Sequence, residues 1–450
     1  MSPRLSHRIS NKPPGPRMPR ALQAVGWTQR PLPWLERCHA RYGDIFTLRI
    51  RHYGDWVILN DPEDVKKVFT AGRAVGVDTA NPLLGPLLGP RSVMLLEEPE
   101  HMTRRKLMLP SFHGKAVQAD AEMMALVARQ EISRWPVGEP FALWPRMQDI
   151  TLDVVMRAVF GPDSETPRLQ PLRESLQALT TWMNEPRNLA RLAVLGPGWV
   201  TRSRGYREAM GAVEAAVMEE VRRRKAEPDG GALGVVSMLV SARYEDGEPL
   251  SDQDLRDELV TLLSDGPTSS TLAWTFERLL RNPDKLELLR EDVLGGGGDY
   301  LDAVVKETLR LRPPVPVVVR NLLEPMRLGG YDLPAGTTVA PCIHLIHRDN
   351  RWYEEPHRFL PERFVGKVPG TYTWIPFGGG VRRCLAASYA EMEMKRVLRI
   401  VLETTELRAV ESGGERARKS AISFSPDQKG LVIAEPRDPE PAAERALAPV

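Results

Sequence analysis

The stretch Trp374-Ile-Pro-Phe-Gly-Gly-Gly-Val-Arg-Arg-Cys384-Leu-Ala-Ala constrains this chain more than any other. It sets one cysteine behind three consecutive glycines and two arginines, and a segment of helical periodicity, roughly Leu385 to Leu402, follows at once. Cys384 therefore stands near a helix N-terminus, where free backbone N–H groups and the positive dipole end favour a thiolate. The glycines allow a sharp turn and a close approach to a flat ligand. For a lone cysteine the ordinary reading is a buried core residue. The spacing Phe377, Gly380, Arg382, Cys384 argues against it here.

That spacing, Phe-x-x-Gly-x-Arg-x-Cys, resembles the haem-binding loop of the cytochrome P450 family, and the resemblance covers about residues 30–435. It implies a haem b (iron protoporphyrin IX) with Cys384 as axial ligand, and a thiolate ligand pushes electron density toward O–O cleavage. It further implies that Phe377 shields the thiolate and that Arg382 holds a haem propionate. Ala386 stands where the family most often has Gly, a mild departure. The implied fold is mainly α with a smaller β region. It is a single triangular domain, with the haem between a long central helix and the Cys-loop helix.

Length alone would suggest about three domains, but no Ser/Gly-rich linker divides the 450 residues. The expected division is a polar, Pro-rich arm at 1–30, the haem domain at 31–436 and a disordered Pro/Ala/Glu-rich tail at 437–450. The formal net charge of +2 gives no global drive toward nucleic acid. Three cysteines, Cys38, Cys342 and Cys384, fit a reducing, cytoplasmic setting without a disulfide framework. The first thirty residues hold no apolar run of ~18 residues, so no membrane span is expected. Leu189 to Val200 is the most apolar surface candidate and reads as a partly buried entrance to an apolar pocket.

In chain order, Leu32 to Tyr42 reads as a helix, Asp44 to Leu59 as a strand pair, and Asp61-Pro62 opens a helix through Phe69. Residues 71–98, dense in Gly and Pro, read as a long functional loop, and the family's equivalent loop closes over substrate. In Glu100 to Phe112, His101 and Arg105 stand four apart on one helix face. They match the family's propionate clamp. Without that match, Arg104-Arg105-Lys106 is a solvated basic face. Residues 115–228 read as several helices of little chemical signal.

Ser251 and Asp254 look like a capping box. The apolar positions Leu255, Leu259, Leu262, Leu263, Ala273 and Leu280 then recur at helical spacing up to Asn282-Pro283. Some thirty residues at 1.5 Å rise give roughly 45 Å, one long helix. It resembles the family's central helix, whose usual Gly-x-acid-Thr is replaced here by Gly266-Pro267-Thr268-Ser269. Gly266 would leave room for dioxygen, Pro267 should kink the helix, and Asp265 is the nearest acid to Thr268 and Ser269.

Tyr300 to Arg312 reads as a helix ended by Pro313-Pro314. Its Glu307 and Arg310, with Arg363 in Pro361-Glu362-Arg363-Phe364, resemble the family's buried structural network. Val315 to Val319 reads as an apolar strand that puts Val317 and Val318, with Leu263, on the substrate cavity. Arg320 matches a further propionate arginine. Gly329-Gly330 opens a hairpin. His344 and His347 could pair on a metal, but the family places none there, so they read as structural. Ala421 to Ser425 reads as a last cavity-lining turn.

The reading is a haem-thiolate monooxygenase that inserts one oxygen atom from O₂ into a hydrophobic small molecule. Electrons would come from a separate ferredoxin or flavodoxin with its reductase, and the chain would act as a monomer. Arg382, Arg383, Lys395, Arg396 and Arg399 would make a basic cysteine face for that acidic partner. The altered Thr268-Ser269 pair leaves open a peroxide-using oxygenase or a haem-thiolate isomerase, the latter opposed by the ordinary length of the cysteine loop. A non-catalytic haem sensor is the remote alternative.

Overall fold

The computed structural model describes residues 12–77, 84–161, 167–226, 234–264, 266–420 and 423–437. Most of them are helical. Leu143–Phe160, Arg204–Ala226, Asp252–Leu263, Pro267–Leu280, Asp299–Leu311 and Ala387–Thr404 pack around one apolar core. Leu255, Leu259, Leu272, Phe276, Val304 and Val397 are at its centre, each at most 2% exposed. The i, i+3, i+4 spacing of these residues gives each helix the apolar stripe that such packing needs.

The smaller β region is a five-stranded sheet in the order Ile45–Ile50, Gly54–Leu59, Thr338–Pro341, Arg320–Leu322, Val75–Val77. The second and third strands run parallel and the other neighbours antiparallel. A second core of Trp27, Trp34, Leu35, Phe46 and Trp56 backs this sheet. The expected hairpin is present, with Met326–Leu328 paired to Tyr331–Leu333 across Gly329-Gly330.

Local signals account for several elements. Asp61 caps Pro62–Thr70 by accepting from the N–H groups of Glu63 and Asp64 at 2.9 and 3.2 Å. Ser251 and Asp254 form the full reciprocal capping box. Among the described residues between 71 and 98, the chain holds the 3-10 turn Gly72–Ala74, the short strand Val75–Val77 and the helical turn Leu84–Leu88, and is otherwise irregular.

Three expectations are corrected. Residues 20–29 of the arm form a helix that buries Gln23, Ala24 and Trp27 against the sheet. Val315–Val319 is not a strand; the ladder starts only at Arg320. Pro313, Pro314 and Pro316 lack the N–H groups a strand would donate, and Val318 makes a single bond of that kind, to Pro341 O at 3.0 Å.

The third correction concerns the central helix, which is two helices, Asp252–Leu263 and Pro267–Leu280. Pro267 cannot donate to the carbonyl four residues back, and its ring disfavours helical geometry in the preceding residue. Gly266 accordingly sits at φ −150°, and Pro267 becomes the first residue of a new helix instead of a kink. Asp265 and Ala421 lie outside the described residues, as does the 438–450 tail.

Candidate functional site

The cysteine loop is closed by its own backbone. Cys384 N–H donates to Phe377 O at 2.9 Å, and Gly378 N–H donates to Ile375 O at 3.0 Å. Gly378 and Gly380 sit at φ 69° and 65°, where other side chains are strained. Gly379 and Gly380 also press on the ring and carbonyl of Phe69, so a Cβ at either would collide with the helix Pro62–Thr70. At these two positions the loop needs glycine for packing against that helix. The Cys384 thiol is exposed, two residues before Ala386, which caps the helix Ala387–Thr404. Trp374 stands edge-on to Phe377 at 6.4 Å, and the Arg383 guanidinium lies 5.7 Å from the Phe377 centroid.

Three of the four candidate propionate residues converge on the cysteine. Arg105 is half-buried on Glu100–Met108; burial lowers its pKa, and the charge of Cys384 beside it works the other way. Arg382 turns inward, donating to Leu96 O at 2.8 Å and pairing with Glu97 at 3.2 Å. His101 is buried and bonded through Nδ1 to Glu98 at 2.7 Å. Burial and the charge of Arg382 both hold its pKa below the usual histidine value. With Nδ1–H given to Glu98, a neutral His101 offers an acceptor at Nε2, so a propionate contact there requires the imidazolium. Arg320 joins through the sheet. It pairs in register with Val77, whose N–H donates to Glu97 at 2.9 Å.

These residues fit a haem. A thiol at the end of a closed loop stands beside Arg105 and two residues from Arg382, and Arg105 has no carboxylate within ion-pair distance among the described residues. Cations of this kind suit the two propionates of a flat apolar macrocycle.

On the central helices, Thr268 and Ser269 are 7% and 1% exposed. Ser269 Oγ–H donates to Gly266 O at 3.0 Å, and Thr268 makes no hydrogen bond through its hydroxyl to a described residue. Leu263 is buried in the main core; Val317 is buried in the second core and Val318 packs on a third cluster. The three thus belong to different apolar clusters.

Glu307, Arg310 and Arg363 are brought together. Glu307 and Arg310, both with 0% exposed side chains, form two bonds of 2.7 and 2.8 Å, and Arg363 reaches Glu307 at 3.2 Å. Arg310 also donates to the carbonyls of His347, Pro356 and Arg358.

His347 was read from the sequence only as a structural companion of His344, and it carries more. Nδ1 bonds Arg310 O at 3.2 Å, and Nε2 accepts the N–H of Ile375 at 2.8 Å. Ile375 lies two residues before Phe377, so one ring ties the network helix to the cysteine loop. His344 turns instead to Glu36 at 2.8 Å, and the two histidines share no ligand position. His39, Asp44 and Asp349 are the one metal-like group among the described residues. Asn60 Nδ2 sits among all three, and Arg351 pairs with both carboxylates.

Arg104 is not part of a solvated face. It is 1% exposed and pairs with Asp254 at 2.6 Å and Glu258 at 2.8 Å. Burial raises the Glu258 carboxyl to about 7. The basic cysteine face is likewise mostly spent. Lys395 pairs with Asp302, Arg396 approaches Glu122 at 3.8 Å, and Arg399 binds the carbonyls of Val293 and Gly297. Arg383 alone of the five is exposed and has no ion pair among the described residues.

Residues 12–431 match the family model described as Cytochrome P450. The Mycobacterium tuberculosis protein named cytochrome P450 135B1 is 39% identical over 439 residues, covering 93% of this chain and 90% of that relative. The one named cytochrome P450 137, from the same species, is 38% identical over 430 residues, covering 92% and 89%. Among solved structures, a retinoic-acid-bound cyanobacterial CYP120A1 superposes with a TM-score of 0.81 at 22% identity. It covers 95% of this chain and 99% of that one. The heme domain of cytochrome P450DA gives a TM-score of 0.78, also at 22% identity, and covers 95% and 98%.

Proposed function

The chain belongs to the cytochrome P450 family, an oxidoreductase class of haem-thiolate monooxygenases, and from that premise we propose that it uses O₂ to hydroxylate an apolar small molecule. The balance is substrate C–H plus O₂, two electrons and two protons, giving the alcohol and water. The observation that carries this reading is the closed loop presenting Cys384 beside Arg105, which has no ion pair among the described residues. When bound, the haem, taken as haem b, supplies the site of dioxygen activation, and a thiolate ligand favours O–O cleavage.

The residues have separate tasks. Cys384 supplies the ligand sulfur, held by its N–H on Phe377 O. Arg105, Arg382 and Arg320 neutralise the propionates, and His101 joins them when protonated. Phe377, braced edge-on by Trp374, would help keep water from the sulfur once the haem covers the exposed Cys384. Ala386 stands at the N-cap of the helix Ala387–Thr404, where a methyl is compatible with its backbone at φ −92°. Glu307, Arg310 and Arg363 brace the fold without touching substrate. Leu263 borders the helix break from the core side.

Proton supply falls to the break between the two central helices. Gly266 leaves space there for dioxygen. Ser269 Oγ can release Gly266 O and pass a proton onward, and Thr268 Oγ1 is available to relay. Neither alcohol sources protons readily, so Asp265 or ordered water does. A separate acidic ferredoxin or flavodoxin with its reductase delivers electrons. Arg383 is the exposed cation available on the cysteine face for it, so this docking leans less on charge than five free cations would.

The test is spectral and kinetic. The reduced protein with CO should show the red-shifted Soret band of thiolate ligation, and Cys384→Ala should lose it; retention of that band in Cys384→Ala overturns the reading. O₂-driven turnover should release much peroxide, and Thr268→Glu with Ser269→Thr should improve coupling. Asp265→Asn should slow O₂-driven turnover and spare peroxide-driven turnover; equal loss in both excludes Asp265 as the source. If the wild type works with peroxide and not with O₂ and a ferredoxin system, the peroxide-using alternative replaces the O₂ route.

A further inference from the structure

The turn at residues 89–94 is bound to the first central helix, Asp252–Leu263, by Asp257, Glu258 and Thr261. Asp257 accepts the N–H of Arg91 at 2.8 Å, and Glu258 accepts the N–H of Val93 at 2.8 Å. Thr261 gives its hydroxyl proton to Asp257 O at 2.6 Å, so it accepts from Ser92 Oγ–H at 2.7 Å. Ser92 Oγ in turn accepts the N–H of Met94 at 3.2 Å. Ser92, Asp257 and Glu258 are all 0% exposed. The fit leaves no slack, since Gly89 sits at φ 88° and a Cβ there would collide with the Asp257 carboxylate.

The same turn continues to the cysteine loop. The N–H groups of Leu95 and Leu96 both return to Ser92 O, at 2.8 and 3.1 Å, which makes residues 92–96 one tight unit. Leu96 O and Glu97 then hold Arg382, two residues from Cys384. Glu97 also accepts the N–H of Val77, the register partner of Arg320, and Glu98 holds His101. Arg382, His101 and, through Val77, Arg320 are thus all tied to residues 96–98.

Stability alone does not account for this anchor. Glu258 is buried against Arg104, and its Oε2 accepts no hydrogen bond from a described residue. Buried pairs of this kind cost much of what they return, and apolar residues of similar size would pack the helix without that cost. What the carboxylates do supply is fixed acceptors for loop N–H groups that would otherwise be buried without partners.

We propose that Asp257 and Glu258 are positioning residues for the propionate clamp. By fixing residues 91–94 on the central helix they fix Leu96 and Glu97, and so the direction in which Arg382 presents its guanidinium to the haem. The proposal rests on the haem-thiolate reading, with Arg382 as a propionate residue. An Arg382 that loses this backing neutralises the propionate less well, which loosens the haem and disfavours its reduction.

The experiment compares the haem-loaded full chain with Glu258→Leu, Glu258→Gln and Gly89→Ala, and repeats Glu258→Leu in an Arg382→Leu chain. It reads haem transfer to excess apomyoglobin, the haem midpoint potential, and deuterium uptake at the Val77 amide, the far end of this chain of bonds. Glu258→Leu should release haem about tenfold faster, the factor that one lost hydrogen bond to a charged group carries. Its potential should move to more negative values, and its Val77 amide should exchange faster. Glu258→Gln keeps an acceptor for Val93 N–H and should restore wild-type behaviour on all three. Gly89→Ala removes no polar group, yet should act as Glu258→Leu does, because its Cβ pushes the turn off Asp257. In the Arg382→Leu chain, Glu258→Leu should add no further haem loss, since the two residues act in series. A general loss of stability would add to it instead, and that additivity overturns the proposal. So does unchanged Val77 exchange in Gly89→Ala, which decides the matter if Glu258→Leu fails to fold. An Arg382→Leu chain that keeps haem as the wild type does also overturns it, by removing the propionate role. The thiolate CO band of the wild type reports separately on the haem-thiolate reading, so that band together with unchanged Val77 exchange rejects the positioning role alone.

Discussion

His347 is fully buried, and its two ring nitrogens do opposite jobs. Nδ1 donates to Arg310 O while Nε2 accepts from Ile375 N–H. Only the neutral ring can do both, and burial with the charge of Arg310 pushes its pKa down to about 3. His347→Ala leaves two buried backbone groups unpaired, at about 1–3 kcal/mol each. It should lower haem content and move part of the CO spectrum away from the thiolate band, because Ile375 leads into the cysteine loop. His347→Gln, which can donate and accept, should recover part of that band. A pure stability role would lower the melting temperature and leave the band in place. The sign of the pH effect follows from linkage. The unfolded ring takes up a proton near 6.5 and the native ring does not, so this residue's contribution is intact above 6.5 and is lost as pH falls from there toward 3. Relative to His347→Gln, the wild type should lose about 1.4 kcal/mol per pH unit across that window, measured by urea unfolding. Glu258, raised to about 7, acts in the opposite direction, so the difference between the two proteins is the quantity to read. From sequence, His347 showed only its spacing from His344, and no periodic signal marks a ring whose partners lie 28 and 37 residues away.

At the scale of elements, the cysteine loop, its helix and the Glu307–Arg310 helix were readable because their signals are local: glycines, a following periodic run, a terminating Pro-Pro. The central helix was readable in every turn except the one that matters. Apolar periodicity runs through Leu262 and Leu263 and resumes at Ala273, but a backbone donor missing at Pro267 divides it. Whether proline kinks a helix or ends it depends on the residue before it. Gly266 carries no Cβ and little helical preference, so ending it costs less. Pro267→Ala returns the donor to the chain. Amides at Thr268 and Ser269 should then exchange more slowly with solvent, as they gain carbonyl partners across the former break, and O₂-driven turnover should fall as the open space at Gly266 narrows. Unchanged exchange in Pro267→Ala would mean that packing of the two helices on Leu143–Phe160 imposes the break. The apolar run Val315–Val319 fails for a related reason, since three prolines remove the donors that a strand pattern presumes.

For the whole molecule, the strand order is what the sequence conceals most. Gly54–Leu59 pairs with Thr338–Pro341 across more than half of the chain, and no local pattern encodes that pairing. The same long reach binds the arm into the domain. Thr47 N–H donates to Pro14 O at 2.7 Å, and Thr47 Oγ–H donates to Pro13 O at 2.8 Å. Gln23, 0% exposed, donates to Pro16 O and Met18 O at 3.1 and 2.9 Å and accepts from Arg49 N–H at 2.8 Å. Composition marked this segment as a polar, Pro-rich extension, because prolines read as punctuation. Here their carbonyls serve as acceptors along the sheet edge, a task that needs no N–H. A chain lacking residues 1–11 keeps all of these contacts and should melt with the full protein. Lacking residues 1–30, it loses the buried Trp27, alone about 3–5 kcal/mol by analogy with large-to-small core changes, and leaves the Thr47 and Arg49 amides without partners. Its melting temperature should fall by many degrees. Equal melting of the two truncated chains would show that the arm lies on the sheet without stabilising it.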